Sequence, residues 1–194
     1  VRRHRADGGP EPIAAGTGAR FIDAGQRAWY LVGDAATSPE RPSNATYKLG
    51  RVRPRSAFTP HAHAGEHWVL SLGYASCGVY DTDRHDVTTL DLTPGDLVRI
   101  PAMLPHSFGN RAGTPLLVLA ANTGYGLDHE DYAVTAADAE DRARAGRRDG
   151  PGGDVDYEHL AAVLRRLEAA AGRAGLRPAE RAALVLRRVA AWLE

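Results

Sequence analysis

The chain is short of several things, and each scarcity excludes something. It has one cysteine, Cys77, so no internal disulfide can staple it, and a reducing, cytoplasmic setting is expected. No apolar run approaches the ~18–20 residues a membrane helix needs, so no membrane partner is expected. No charge of either sign is in excess: 24 Lys+Arg balance 24 Asp+Glu. That balance gives no electrostatic reason to expect DNA or RNA. Lysine is almost missing. Lys48 is the only one, and the other 23 basic residues are arginine. With the abundance of Ala and Gly, this reads as codon bias, so arginine richness is no evidence for an anion site. Residues 1–10 carry basic side chains with no apolar stretch behind them, which does not fit a secretory signal.

What remains is a 194-residue chain with 43% hydrophobic residues, enough for a core and about one domain with appendages. Residues 1–18, rich in Gly, Pro and charge, read as a flexible leader. Residues 19–132 read as one β-barrel domain. Strand-like runs at 19–23 and 27–32 flank a turn at 24–26, and 46–53 alternates. Further apolar runs at 68–72, 78–80, 87–92, 97–100 and 116–120 are separated by breakers such as Gly73, the run Thr93-Pro94-Gly95-Asp96, and Pro101 to Pro105. Punctuation every ~8–12 residues is the pattern of an all-β sandwich or barrel.

Residues 133–154 carry nine charged side chains and Gly150-Pro151-Gly152-Gly153, and read as a flexible linker. In 155–194, Leu160, Val163, Leu164 and Leu167 recur at helical spacing. Gly175 can end that helix, and Pro178 suits the first turn of another. Its apolar stripe is Ala182, Val185, Leu186, Val189 and Leu193. The expectation is a C-terminal helical hairpin packed on the barrel or on a second subunit.

The chemistry-bearing feature is histidine. Three fall in Pro60-His61-Ala62-His63-Ala64-Gly65-Glu66-His67, and a fourth, His106, follows Pro105. On an extended chain His61 and His63 point to one face. Two imidazoles on one face, joined by others from neighbouring strands, suit a metal ion such as Zn, Fe, Ni or Cu. His4, His85, His129 and His159 read as surface or hydrogen-bonded residues, and Cys77 as a small buried hydrophobe.

These segments resemble the two motifs of the cupins. The first is H-x-H followed by a carboxylate and a glycine. The second is G-x(5)-P-x-G-x(2)-H-x(3)-N, matched by Gly95, Pro101, His106 and Asn110, with Met103 where glycine is usual. The resemblance covers about 47–121. It implies a double-stranded β-helix (jelly roll) with a metal at its mouth, and His61, His63 and His106 as ligands. The fourth ligand, normally glutamate, is open between Glu66 and His67. If Glu66 points inward, so do Trp68, Leu70 and Leu72; if His67 does, so do Val69, Ser71 and Gly73. The reading takes His67 as ligand, leaving Glu66 at the strand edge as the candidate catalytic residue. The family would also place Tyr47, Arg51, Arg53, Trp68, Tyr74, Arg99 and Phe108 around the cavity.

The fold implied is therefore an all-β jelly roll with a C-terminal helical hairpin. Barrels of this kind host many reactions, and three readings stand. The first is a mononuclear non-haem iron dioxygenase or other oxygenase acting on a small molecule. The second is a redox-neutral Zn or Ni enzyme (cyclase, isomerase, dehydratase or decarboxylase). The third is a ligand-binding barrel without turnover. The cofactor expected is one divalent metal ion, with Fe2+ placed first and Zn2+ or Ni2+ as alternatives. Exposed strand edges and the helical tail make a homodimer the default expectation.

Overall fold

A computed structural model describes residues 4–5, 9–10, 27–32, 45–123, 133–150, 153–170 and 175–193. Most of the expected leader, the strand at 19–23, the turn at 24–26 and His129 lie outside these residues. The strands are β1 His4–Arg5, β2 Gly9–Pro10, β3 Arg27–Val32, β4 Ala45–Val52, β5 His61–Ala62, β6 Glu66–Ser71, β7 Ala75–Asp81, β8 Asp86–Leu92, β9 Leu97–Ile100, β10 His106–Asn110, β11 Leu116–Thr123, β12 Val134–Thr135, β13 Asp149–Gly150 and β14 Gly153–Asp154. The helices are α1 Ala136–Arg144, α2 Tyr157–Ala170 and α3 Pro178–Leu193.

Two five-stranded sheets form the body, in the orders β3-β4-β11-β6-β9 and β12-β5-β10-β7-β8, and their pairings are antiparallel. The expectation of an all-β chain is thus corrected. The two sheets are joined by three helices, and the chain is mixed. Strand alternation decides what faces the interior. On β6, His67, Val69 and Ser71 are buried while Glu66, Trp68 and Leu70 are half-buried. Register carries that choice across the sheet: one inner row runs Thr46, Asn122, His67, Ile100, and the next Lys48, Ala120, Val69, Val98. Beyond these rows Val52, Phe58, Cys77, Phe108, Leu116 and Val118 fill the core. Each such large apolar side chain contributes ~1.5–3 kcal/mol of burial.

The motif residues do structural work that their chemistry explains. Gly95 has φ +101°, a conformation only glycine adopts without strain, and it turns the chain between β8 and β9. Met103, standing where the cupin motif has glycine, sits at φ +59°, the left-handed region that glycine tolerates best. Its N–H donates to the His63 carbonyl at 2.7 Å. Asn110 is a four-way staple. Its Nδ2 donates to the carbonyls of Val52 (3.2 Å), Arg53 (3.1 Å) and Thr114 (2.7 Å), and its Oδ1 accepts from Ala112 N at 2.8 Å.

The stretch read as a flexible linker contains a helix. Thr135 caps α1 by accepting from Asp138 N, and Asp138 accepts in return from Thr135 N, a reciprocal capping box. Ala136 and Ala139 are buried against α2. Charge density hid this helix, because its buried face is two alanines. α2 forms where its apolar spacing places it, burying Tyr157, Leu160, Val163, Leu164 and Leu167. It approaches β7 so closely that a Cβ on Gly78 would stand 3.0 Å from Leu167 Cδ2 and 2.7 Å from Ser107 Oγ. α3 also forms, but its expected packing stripe does not pack: Val185, Leu186 and Val189 are 58%, 68% and 50% exposed. Among the described residues no helix is long and apolar enough to cross a membrane.

Candidate metal centre

Three strands and one loop position four buried histidines. His61 opens β5, and His63 follows it by two residues on the same face. His67 comes inward from β6, and His106 opens β10, directly opposite His61 in the ladder. The ligand-capable nitrogens of His61, His63 and His106 lie within 4.8 Å of one another. His61 Nε2 and His63 Nε2 are 2.9 Å apart, and His67 Nδ1 is 3.1 Å from His106 Nε2. The rings meet mostly at steep angles, with His61 at 78° to His63 and His63 at 87° to His67. That arrangement points nitrogen edges, not ring faces, at a common focus.

Backbone carbonyls set the orientation of two rings. His61 Nδ1–H donates to Thr59 O at 2.6 Å, and His106 Nδ1–H donates to Leu104 O at 2.9 Å. With Nδ1 carrying the proton, Nε2 of each ring presents its lone pair to the cluster. His63 Nδ1 and His67 Nε2 are buried with no hydrogen-bond partner. Burial, the largest influence, and the neighbouring cationic groups hold His61, His63 and His67 well below the ordinary imidazole value. Desolvation brings His106 down to about 4, against the opposing effect of its Leu104 bond. All four rings are therefore neutral near pH 7, the form that binds a metal. Metal–imidazole bonds of ~2.0–2.1 Å at right angles put neighbouring nitrogens about 3 Å apart, the spacing of the His61–His63 and His67–His106 pairs. The donor set fits one divalent ion.

Glu66, the candidate catalytic residue of the sequence reading, faces away from the histidines. Glu66 lies on the outer face of β6, where Oε1 accepts from Trp68 Nε1 at 2.5 Å and Oε2 from Arg99 Nε at 2.7 Å and from Arg99 Nη2. The hydrogen bond from Arg99, foremost, holds its carboxyl below the usual range. It is an ion-paired surface group, turned away from the imidazoles by strand parity. Trp68 and Arg99 share that outer face, with the Arg99 guanidinium 5.7 Å from the Trp68 ring centre. Tyr47 and Arg51 lie outward as well, since the inward positions of β4 are Thr46, Lys48, Gly50 and Val52. Phe108 does reach the site, its ring 6.2 Å from His106 and 6.5 Å from His67. Burial pushes the Cys77 thiol up to about 12, in keeping with a small hydrophobe.

Two groups near the histidines escaped the sequence reading. Lys48 is buried on the row beside His67, and Asn122, paired with His67 across the ladder, holds a buried Oδ1 with no partner. Alternation could have found Lys48 only once the inward parity of β4 was known.

No protein-family profile and no curated protein matches the chain. Solved structures do. Bacillus subtilis oxalate decarboxylase, in a study of its Mn(II) centres, aligns with a TM-score of 0.51 at 19% identity, covering 77% of this chain. Lactobacillus farciminis oxalate decarboxylase in a formate complex gives 0.51 at 15% identity over 73%. The DMSP lyase DddQ from Ruegeria pomeroyi gives 0.46 at 20% identity over 57%. The matched regions span 37%, 40% and 54% of those chains respectively. At these identities the likeness concerns the fold. The strand order, the motif geometry and the two oxalate decarboxylase matches agree: the chain has the cupin fold, with a histidine triad that can hold a divalent metal ion.

Proposed function

We propose that the protein is a metal-dependent enzyme acting on a small organic molecule, and that its reaction is that of a mononuclear non-haem iron oxygenase. The observation that carries this reading is the convergence of neutral, buried imidazoles from β5, the following loop and β10 on one focus. His61, His63 and His106 would hold the ion, with His67 as fourth donor beside His106. An ion there would supply Lewis acidity, and iron would add the capacity to engage O2. The chain itself orients the donors through Thr59 and Leu104, keeps them unprotonated by burial, and walls the site with Phe58, Val69 and Phe108.

A second reading is redox-neutral Lewis-acid chemistry with zinc or nickel. It is favoured by the outward turn of Glu66, since an all-imidazole set leaves the ion's two charges uncompensated and raises its acidity. Elemental analysis of protein purified without added metal, with oxygen uptake measured against a panel of small organic acids, alcohols and amines, separates the two. Iron with substrate-dependent uptake supports the first. Stoichiometric zinc or nickel with turnover and no uptake supports the second. Failure of the wild-type chain to hold any divalent ion, with His63→Ala indistinguishable from it, overturns both.

A further inference from the structure

The sheet that carries His106 has a second side. Val79, opposite His106 in the ladder, packs into the barrel core. Its neighbour Tyr80 therefore faces outward, into the cluster built on α2. That cluster is not sealed. Between α2 and residues 101–105 it leaves a groove of about 540 Å³, lined among others by Tyr80, Met103, Leu104, Leu160 and Val163. The volume falls within the ~300–1,000 Å³ of small-molecule sites. The cavity beside the histidines, about 20 Å³, has room for roughly one water.

The groove wall is also the support of the metal centre. Met103 stands at φ +59°, a backbone region that penalises a residue with a Cβ, and it is held there packed against the α2 cluster. Its N–H donates to His63 O at 2.7 Å, and the next carbonyl, Leu104 O, accepts from His106 Nδ1 at 2.9 Å. Two consecutive residues thus line the groove and hold two of the histidines. An occupant that settles residues 101–105 from the groove settles those rings, and an ion that settles the rings prepares the groove, because the ordering cost is shared.

The charge on the lining has one sign. Asp154 and Asp156 are its carboxylates, and no lysine or arginine lines it, although the chain balances 24 cations against 24 anions. Asp154 is paired with Arg148 at 3.0 Å. Asp156 Oδ1 accepts from His159 N at 3.0 Å, and among the described residues its Oδ2 accepts no hydrogen bond. The ring of His159 lies 5.5 Å from that of Tyr80, at 70° to it, and both residues line the groove. An apolar floor, an aromatic edge and one uncompensated carboxylate oxygen suit a ring that carries a cationic group.

We propose that this groove binds an aromatic ammonium ion, its ring over Met103 and Val163 and its charge at Asp156, and that its occupancy is coupled through residues 101–105 to the ion held by His61, His63 and His106. The groove stands on its own geometry; the coupling rests on the proposed metal site.

The probe is benzyltrimethylammonium, which cannot ligate a metal, with benzyl alcohol as the neutral control. Each is titrated by calorimetry into the full chain at pH 8, metal-free and zinc-loaded. Metal-free wild type should bind the probe saturably, and benzyl alcohol at least about five-fold more weakly, the ratio one charge near a surface carboxylate gives. Asp156→Asn keeps a cap for α2 and should erase that difference. Ala102→Trp, on the groove lining, should abolish binding of both. Zinc should tighten the probe about five-fold or more, and saturating probe should tighten zinc by the same factor. No saturable binding by wild type, benzyl alcohol bound as tightly as the probe, or probe affinity unchanged in either variant overturns the ammonium site. Equal probe affinity with and without bound zinc overturns the coupling and leaves the groove. No zinc uptake by wild type overturns the metal centre and the coupling with it, while the metal-free titration still decides the groove.

Discussion

Arg111 grips Glu180 across 69 residues of sequence, Nη2 to Oε1 at 2.7 Å and Nη1 to Oε2 at 3.0 Å. This bidentate pair fastens the first turn of α3 to the end of β10. The Arg111 side chain is 1% exposed and Glu180 6%. The guanidinium is further satisfied by the carbonyls of Ala75 at 2.9 Å and Leu92 at 3.4 Å and by Asp91 at 3.1 Å. Removing one partner of such a buried pair strands the other charge, which costs ~3–5 kcal/mol. Glu180→Ala should lower unfolding stability by about 3 kcal/mol, toward the low end because Asp91 remains. Arg111→Met combined with Glu180→Leu should cost clearly less than the sum of the single changes. Urea unfolding of the four proteins measures both.

The same pair gives stability a defined dependence on acid. Desolvation is the largest influence on the Glu180 carboxyl and raises its pKa. The hydrogen bonds from Arg177 and Arg111 together outweigh it and hold the group at about 2. The unfolded chain protonates glutamate near ~4.3. Because the folded value is the lower one, the contribution is complete above that pH and drains away as pH falls from ~5 through ~2. Glu180→Gln should flatten the stability profile in that window and leave its shape above pH 6 unchanged, as read from urea midpoints at a series of pH values.

Asn110 closes the cupin motif as a support, with its side chain bonded to four backbone groups. Each buried bond is worth about 1 kcal/mol, and each backbone group left orphaned costs more. Asn110→Ala should destabilise the protein by ~3 kcal/mol or more. Asn110→Asp should be nearly as harmful, because a carboxylate cannot donate to Val52, Arg53 and Thr114. In neither soluble variant should metal stoichiometry change, since Asn110 touches none of the histidines. Thermal unfolding and metal analysis check the two halves of this prediction.

The barrel was legible because breakers and short apolar runs are local signals, and His61, His63 and His106 because their spacing is fixed by strand period and one motif. What escaped was whatever depends on which way a strand faces. The family resemblance places Tyr47, Trp68 and Arg99 around the cavity, and they lie outside it. Lys48, which no motif marks, lies within it. Hydrophobicity alone points β6 the wrong way, because Trp68, Leu70 and Leu72 form the larger apolar set and yet face out. Helix α1 was hidden by charge. The α3 stripe was legible as a helix but not as an exposed one, because its anchor is the ion pair between residues 111 and 180, a contact no periodicity contains.

That parity yields the sharpest test at the metal centre itself. Glu66 and His67 are adjacent on β6 and face opposite ways, so substitutions there should separate cleanly. Glu66→Gln removes a charge paired with Arg99 on the surface, and exposed pairs contribute little. Metal stoichiometry and affinity should stay as in wild type, with only a small change in stability. His67→Ala takes away the ring whose Nδ1 lies 3.1 Å from His106 Nε2. If that ring is a donor, affinity should fall at least ten-fold while the triad still retains the ion weakly. Since a ligand that binds only the folded state stabilises it in proportion to the logarithm of its concentration over Kd, the metal-induced rise in Tm should persist in Glu66→Gln and shrink in His67→Ala. His63→Ala should abolish that rise. The reverse order, with Glu66→Gln the more damaging, would mean that β6 turns its carboxylate inward when the ion binds.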